Sequence, residues 1–233
     1  MSEMPELIIF DCDGVLIDSE IIGINLTLKL MATYGVRIDF NEFSAELSGL
    51  SWHELIDKIQ ERNGVILPES LYDTFKVLLL KQFAEKLTST PGTLEIIQSL
   101  PFPKCICSNS SRDQLAYSLS LVGLSKFFSQ RIFSAIDLGP GHAKPKPDIF
   151  LHAANVLKAA PENTLVIEDS VHGVTAACRA GMRVIGYIGG AHSYPLHELK
   201  LISAGATQVI DSMSKLPEVI AQLTYTTKRG LKL

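Results

Sequence analysis

Four short stretches of this 233-residue chain carry residue types that could do chemistry together. Asp11 and Asp13 flank Cys12, Ser108 precedes Asn109, Lys144 opens a Lys-Pro-Lys-Pro-Asp run, and Glu168 precedes Asp169. Four acids, a hydroxyl and a lysine brought to one point would repel and lose hydration unless a cation sat among them. Hard oxygen ligands suit Mg²⁺, which keeps several waters and partners a phosphate. Lys144 and the Ser108 hydroxyl could donate to phosphate oxygens. Asp11, between metal and lysine, could attack phosphorus, because carboxylates form acyl-phosphate intermediates. Asp13, two residues on, points the same way along an extended chain. It could protonate a leaving group and then activate water. Gly14 would let the chain turn sharply just after the pair.

Taken singly, each stretch has a plainer reading. Ser108-Asn109 or Glu168-Asp169 could cap a helix, as could Asp18, Ser19 and Glu20. A lone lysine is most often a surface residue. What joins them is the set of elements that must position them. Residues 7–10 (LIIF), 104–107 (KCIC) and 164–167 (TLVI) are short apolar runs, and each stops at one of the polar pairs. Buried parallel strands read this way. Residues 183–187 and 208–210 have the same form. Helical spacing lies between them: Leu115, Leu119 and Val122; residues 149–157; and the small residues of 171–180, stopped by Gly181. Strands alternating with helices predict an α/β fold with a mostly parallel sheet. Ligands of such sheets bind at the carboxyl ends of the strands, where the candidate residues fall.

Residues 18–87 interrupt the alternation. Apolar residues recur there at helical spacing: Ile22, Leu26 and Leu30, then Leu55, Ile56 and Ile59, then Leu71, Phe75, Leu78 and Leu79. Asn41, Ser51 and Glu69-Ser70 are candidate helix starts. The simplest organisation is a sheet domain of residues 1–17 and 88–223, with a helical insertion at 18–87. Residues 88–92 (TSTPG) form the return linker, and the polar, basic stretch 224–233 is expected to fray. Lys76 and Lys81 read as the solvated face of the last inserted helix.

The formal net charge of -4 argues against nucleic acid or an anionic membrane as a partner, since both need a basic face. A hydrophobic share of 46% with 20% charged residues fits a compact globular protein rather than a disordered one. The four cysteines have no CxxC spacing and read as reduced thiols, with a cytoplasmic location expected. Residues 1–6 carry two acids and no basic stretch, so they do not read as a signal peptide. No apolar run approaches the length of a membrane span. A monomer is the default expectation.

The order Asp11-Cys12-Asp13-Gly14-Val15, Ser108, Lys144-Pro145-Lys146-Pro147-Asp148, and Glu168-Asp169-Ser170 with Gly173 and Ala180-Gly181 resembles the haloacid dehalogenase superfamily. All four of its signature motifs are present in sequence, and the resemblance extends to about residue 222. It implies a Rossmann-like core with a cap inserted after the first motif. It also implies roles. Asp11 would be the phosphoryl-accepting nucleophile and Asp13 the general acid/base, lending its backbone carbonyl to Mg²⁺. Ser108 and Lys144 would position the phosphate, with Gly14 and Asn109 beside them. Asp169 with Glu168 would complete the metal site. An acid at position 13 points to phosphoryl transfer rather than to dehalogenation. The expected substrate is therefore a small phosphorylated metabolite, and the expected enzyme a phosphoric monoester hydrolase.

Within the superfamily the short helical insertion and the Asp-Gly-Val-Leu-Ile-Asp-Ser run resemble the β-phosphoglucomutase-like subgroup. The mutase itself carries an arginine where Trp52 stands and a histidine where Gly23 stands. The patterns at 10–14 and 103–109 are more similar to bacterial 6-phosphogluconate phosphatases. The rivals are a phosphomutase and a non-catalytic phosphate- or metal-binding protein on the same fold. Gly49 and Trp52 of the insertion are candidate substrate contacts, Trp52 with a packing role as the alternative. Arg112 could meet a distal anionic group of the substrate or be a solvated first-turn residue. His192 reads as a loop residue at the edge of the site, without a catalytic role.

Overall fold

The computed structural model describes residues 4–229. Among them six parallel strands form one sheet: β1 (Leu7–Phe10), β2 (Lys104–Ser108), β3 (Ile132–Ser134), β4 (Thr164–Glu168), β5 (Arg183–Tyr187) and β6 (Gln208–Ile210). Their order is β3-β2-β1-β4-β5-β6. β1 is therefore flanked on both sides, and its four residues are fully buried. That accounts for its unbroken apolar run. The register sets Phe10 beside both Ile106 and Ile167. Asp11, Ser108 and Glu168 thus emerge at one edge of the sheet, at the point where strand order reverses.

Side chains alternate across the two faces. Ile8, Phe10, Ile106, Leu165, Ile167 and Ile185 pack in one layer, with Leu115 and Leu119 of α6 (Arg112–Leu121) and Phe128 of α7 (Ser125–Phe128). Ile97 of α5 (Thr93–Ser99) and Ile220 of α11 (Leu216–Arg229) join the same layer. Leu7, Ile9, Cys105, Cys107, Val166 and Val184 face the other layer. There they meet Ile149 and Phe150 of α8 (Asp148–Leu157), Val174 and Ala177 of α9 (Val171–Arg179), and Leu201 of α10 (His197–Ala204). The small residues of α9 let its backbone lie close to the strands.

Between β1 and α5 the chain forms α1 (Ser19–Thr33), α2 (Phe40–Glu46), α3 (Trp52–Asn63) and α4 (Leu71–Lys86). Ile24, Met31, Phe43, Leu47, Leu55 and Ile59 make a separate core for this helical unit. α3 begins where expected: Ser51 and Glu54 form a reciprocal capping box. α2 begins at Asp39 rather than Asn41, because the Asp39 carboxylate accepts from the backbone N–H groups of Asn41 and Glu42. The two chain crossings to the helical unit are stitched together. Asp18 N donates to Thr88 O at 2.9 Å, Thr90 N to Leu16 O at 3.1 Å, and the Thr90 hydroxyl to Val15 O at 2.6 Å. The structure adds β3, a three-residue strand. The expected tail from residue 224 continues as helix α11 to Arg229, and residues 230–233 lie outside the described residues. No helix among the described residues is long and apolar enough to cross a membrane.

Candidate active site

Lys144 is the centre of the site. It lies in the loop before α8 and is 7% exposed. Its Nζ donates to Asp11 Oδ1 at 2.5 Å, to Glu168 Oε1 at 2.6 Å and to the Cys107 carbonyl at 2.8 Å. Its three ammonium donors are thus all used. Asn109 aims it: the backbone N–H of Lys144 donates to Asn109 Oδ1 at 2.9 Å, and the Asn109 amide returns a bond of 3.5 Å to the Lys144 carbonyl. So Asn109, a candidate phosphate contact in the sequence, acts here on the lysine loop.

Glu168 is fully enclosed. Lys144 takes its Oε1, while Ser170 donates to Oε2 from its backbone N–H at 3.2 Å and its hydroxyl at 3.0 Å. A Cβ at Gly173 would fall 1.9 Å from the Glu168 carboxyl, so only glycine fits beneath it. With both oxygens engaged, Glu168 holds the lysine rather than reaching out to a metal.

Asp13 stands apart from this ion pair. The hydroxyls of Ser19 (2.7 Å), Ser110 (2.7 Å) and Ser108 (3.2 Å) all donate to its carboxylate. Ser110 has no place among the sequence candidates, and Ser19 figures there only as a possible helix cap. Ser110 belongs to a run of three serines around Asn109, whereas nothing local marks Ser19 apart from a helix start.

The charges do not balance. Burial pushes the Asp11 carboxyl well above the usual carboxylate range. Lys144 opposes that rise, while Glu168, Asp169 and Asp13 add to it. Glu168 rises for the same leading reason, against the pull of Lys144. Burial tends to lower Lys144, but Asp11 and Glu168 outweigh it and hold the ammonium charged. One lysine cannot neutralise these acids, and a divalent cation would.

The donor set fits Mg²⁺. Asp11 and Asp169 would supply carboxylate oxygens, each residue being under 10% exposed, and the Asp13 backbone carbonyl is the third oxygen that the resemblance implies. Among the described residues, no three His, Cys, Asp or Glu side chains stand together as a complete cage. Two carboxylates and a carbonyl suit an ion that keeps several waters and shares a phosphate.

Asp169 meets two histidines of the segment after β5. His192 Nε2 lies 2.8 Å from Asp169 Oδ2, and His197 Nε2 donates to the Asp169 carbonyl at 2.7 Å. Burial alone would lower His192, but the Asp169 bond and the charges of Asp169, Glu20 and Asp18 raise it to about 9. Glu20, in the first turn of α1, is raised by burial to about 7; His192 pulls it down, while Asp169 and Asp13 push it up.

A cleft of about 650 Å³ lies between the helical unit and the core and opens onto Asp169, Glu20 and His192. Gly49 is among the residues lining it, and its carbonyl accepts from His172 Nδ1 of α9 at 3.0 Å. Lys200 Nζ likewise crosses from α10 to the Ala45 carbonyl at 2.7 Å. The other two distal candidates are placed elsewhere. Trp52 packs against Tyr72 and Phe75 of α4, with centroids 5.4 and 4.6 Å away, because its large ring completes the core of the helical unit. Arg112 Nε donates to Asp137 Oδ2 at 2.9 Å on the surface, and Arg112 is not among the residues lining the cleft.

A family model for haloacid dehalogenase-like hydrolases matches residues 8–187. The 6-phosphogluconate phosphatase of Escherichia coli K12 is 26% identical over 215 residues, covering 92% of this chain and 94% of that one. A haloacid dehalogenase-like protein of Agrobacterium tumefaciens has a structure that superposes with a TM-score of 0.89 at 42% identity, over 94% of this chain and 98% of the other. A family hydrolase of Deinococcus radiodurans, crystallised with bound phosphate and sodium, superposes with a TM-score of 0.81 at 27% identity, over 96% and 97%. The match to most of the chain, over the segments that hold Asp11, Ser108, Lys144 and Asp169, makes this protein a member of the haloacid dehalogenase-like hydrolase family. It is a phosphoric monoester hydrolase of that family.

Proposed function

We propose that the chain is a Mg²⁺-dependent phosphatase of a small phosphorylated metabolite, a sugar phosphate or sugar-acid phosphate such as 6-phosphogluconate. The observation that carries this reading is the Asp11–Lys144–Glu168 contact set beside Asp13. One oxygen of Asp11 is fixed by Lys144, so the other is free to attack phosphorus in line. The bond to the leaving oxygen breaks as the aspartyl phosphate forms, and Asp13 delivers a proton to that oxygen. In the second step Asp13 takes a proton from water, which attacks the same phosphorus and releases Asp11. Lys144 and the Ser108 hydroxyl face the charge that spreads over the phosphoryl oxygens. The carboxylates of Asp11 and Asp169 with the Asp13 carbonyl would hold Mg²⁺, which supplies countercharge to the phosphate. The helical unit would close over the metabolite and exclude bulk water, with the cleft taking its non-phosphate end. The 6-phosphogluconate phosphatase relative supports a sugar-acid substrate.

The test is phosphate release from a panel containing 6-phosphogluconate, hexose and pentose phosphates, phosphoglycolate and β-glucose 1-phosphate, with Mg²⁺ and with EDTA. Release should require Mg²⁺ and vanish in Asp11→Asn. Substantial turnover in that variant would remove Asp11 as nucleophile. Isomerisation without phosphate release would mark a mutase.

A further inference from the structure

His192 has geometry that the reaction steps above do not use. It lies in the connection between β5 and α10, and only 4% of it is exposed. Its Nε2 is 2.8 Å from Asp169 Oδ2. A carboxylate can only accept there, so the imidazole donates. The ring occupies space that only glycine leaves open. Gly14, the residue after Asp13, has φ +80°, and a Cβ on it would come within 2.0 Å of Asp169 Oδ2 and 2.8 Å of the His192 ring. His192 and Asp169 are thus packed together over the backbone of the Asp-x-Asp turn.

The segment carrying His192 is fastened on both sides. Ala191 N donates to Asp18 Oδ1 at 2.9 Å, at the crossing into the helical unit. His197, five residues on, donates to the Asp169 carbonyl at 2.7 Å. The Asp169 residue is therefore gripped at its side chain and its main chain by two rings, which stand edge to face 5.9 Å apart. Oδ2 is committed to His192, and among the described residues no hydrogen bond or ion pair engages Oδ1.

We propose that His192 is a positioning residue: its Nε2–H fixes the Asp169 carboxylate so that Oδ1 is presented to the divalent cation. This rests on the Mg²⁺-phosphatase reading above. A hydrogen bond from a side chain behind a ligand orients that ligand, and its loss commonly weakens metal binding by about 10–100-fold. In this role His192 acts through Asp169 and makes no bond to substrate or metal itself.

Two amide variants separate the hydrogen bond from mere packing. Glutamine can place its amide nitrogen near the His192 Nε2 position, whereas the shorter asparagine reaches only the Nδ1 position. Mn²⁺, an oxygen-seeking octahedral ion with an electron-spin signal, serves as the probe. Free Mn²⁺ is titrated by electron paramagnetic resonance into wild type, His192→Asn and His192→Gln. Thermal melting in EDTA shows that each is folded. His192→Asn should bind Mn²⁺ about 10–100-fold more weakly, and His192→Gln should stay within about 3-fold of wild type. Phosphatase activity should regain wild-type kcat in His192→Asn only at raised Mg²⁺. Wild-type binding in folded His192→Asn would overturn the assignment, and so would equal loss in both folded variants. If both melt below the assay temperature, His192 is a fold residue and the assignment falls. Wild type that binds no Mn²⁺ and releases phosphate equally in EDTA would instead remove the metal-dependent reading itself, and this inference with it.

Discussion

Glu20 offers a test of the site's electrostatics that does not depend on knowing the substrate. It sits in the first turn of α1, where an acid normally gains about 0.3–1 kcal/mol from the helix dipole. Burial next to Asp169 and Asp13 reverses that preference and raises its carboxyl from 4.5 to about 7. A raised folded-state value stabilises the protonated form. The stability that Glu20 contributes is therefore complete below pH 4.5 and is lost as pH rises through about 7. The difference corresponds to about 3 kcal/mol at full burial. Glu20 lines an open cleft and is only partly buried, so solvent screening and the dipole reduce this to about 1–2 kcal/mol. Glu20→Gln removes the charge and keeps the shape. In EDTA, urea denaturation should show the variant about 1–2 kcal/mol more stable than wild type at pH 8 and equal to it near pH 4.5. A variant destabilised at pH 8, or one shifted equally at both pH values, would refute the claim that a crowded acidic site sets the Glu20 equilibrium.

Two further substitutions probe the assignments made from geometry. Lys144→Gln leaves Asp11 and Glu168 buried without their shared cation; it should cost about 3–5 kcal/mol in urea denaturation and abolish single-turnover phosphate release. Retained turnover would show that Lys144 is a structural ion-pair partner alone. Trp52→Ala removes a ring packed on Tyr72 and Phe75, so it should lower stability by about 2–3 kcal/mol while leaving KM within about twofold of wild type. A KM increase without loss of stability would return Trp52 to the substrate contacts.

The strands that carry the site were legible because central parallel strands must be apolar on both faces. That requirement makes 7–10, 104–107 and 164–167 stand out and makes their polar ends conspicuous. β3 escaped notice for the converse reason. It is three residues long, lies at the edge of the sheet and offers only Ile132 and Phe133 as apolar signal. α2 was read as a possible helix start at Asn41 because either Asp39 or Asn41 can cap, and only the backbone conformation selects between them.

The site divides along the same line. Residues that stand at the end of their own strand could be found from spacing, and Asp11, Asp13, Ser108, Glu168 and Asp169 all stand there. Residues recruited across the fold could not. Ser110 reaches Asp13 over a separation of 97 residues, and Ala191 reaches Asp18 over 173. Trp52 and Arg112 mislead in the opposite sense: an aromatic and a cation near a site are expected to face it, until Phe75 and Asp137 claim them. A signal for His192 did exist in the glycines. Gly14 is needed for more than a turn, since the space left by its missing side chain is filled by Asp169 Oδ2 and the His192 ring. A glycine beside a pair of acids therefore states that something distant in sequence packs there, although only the fold says what.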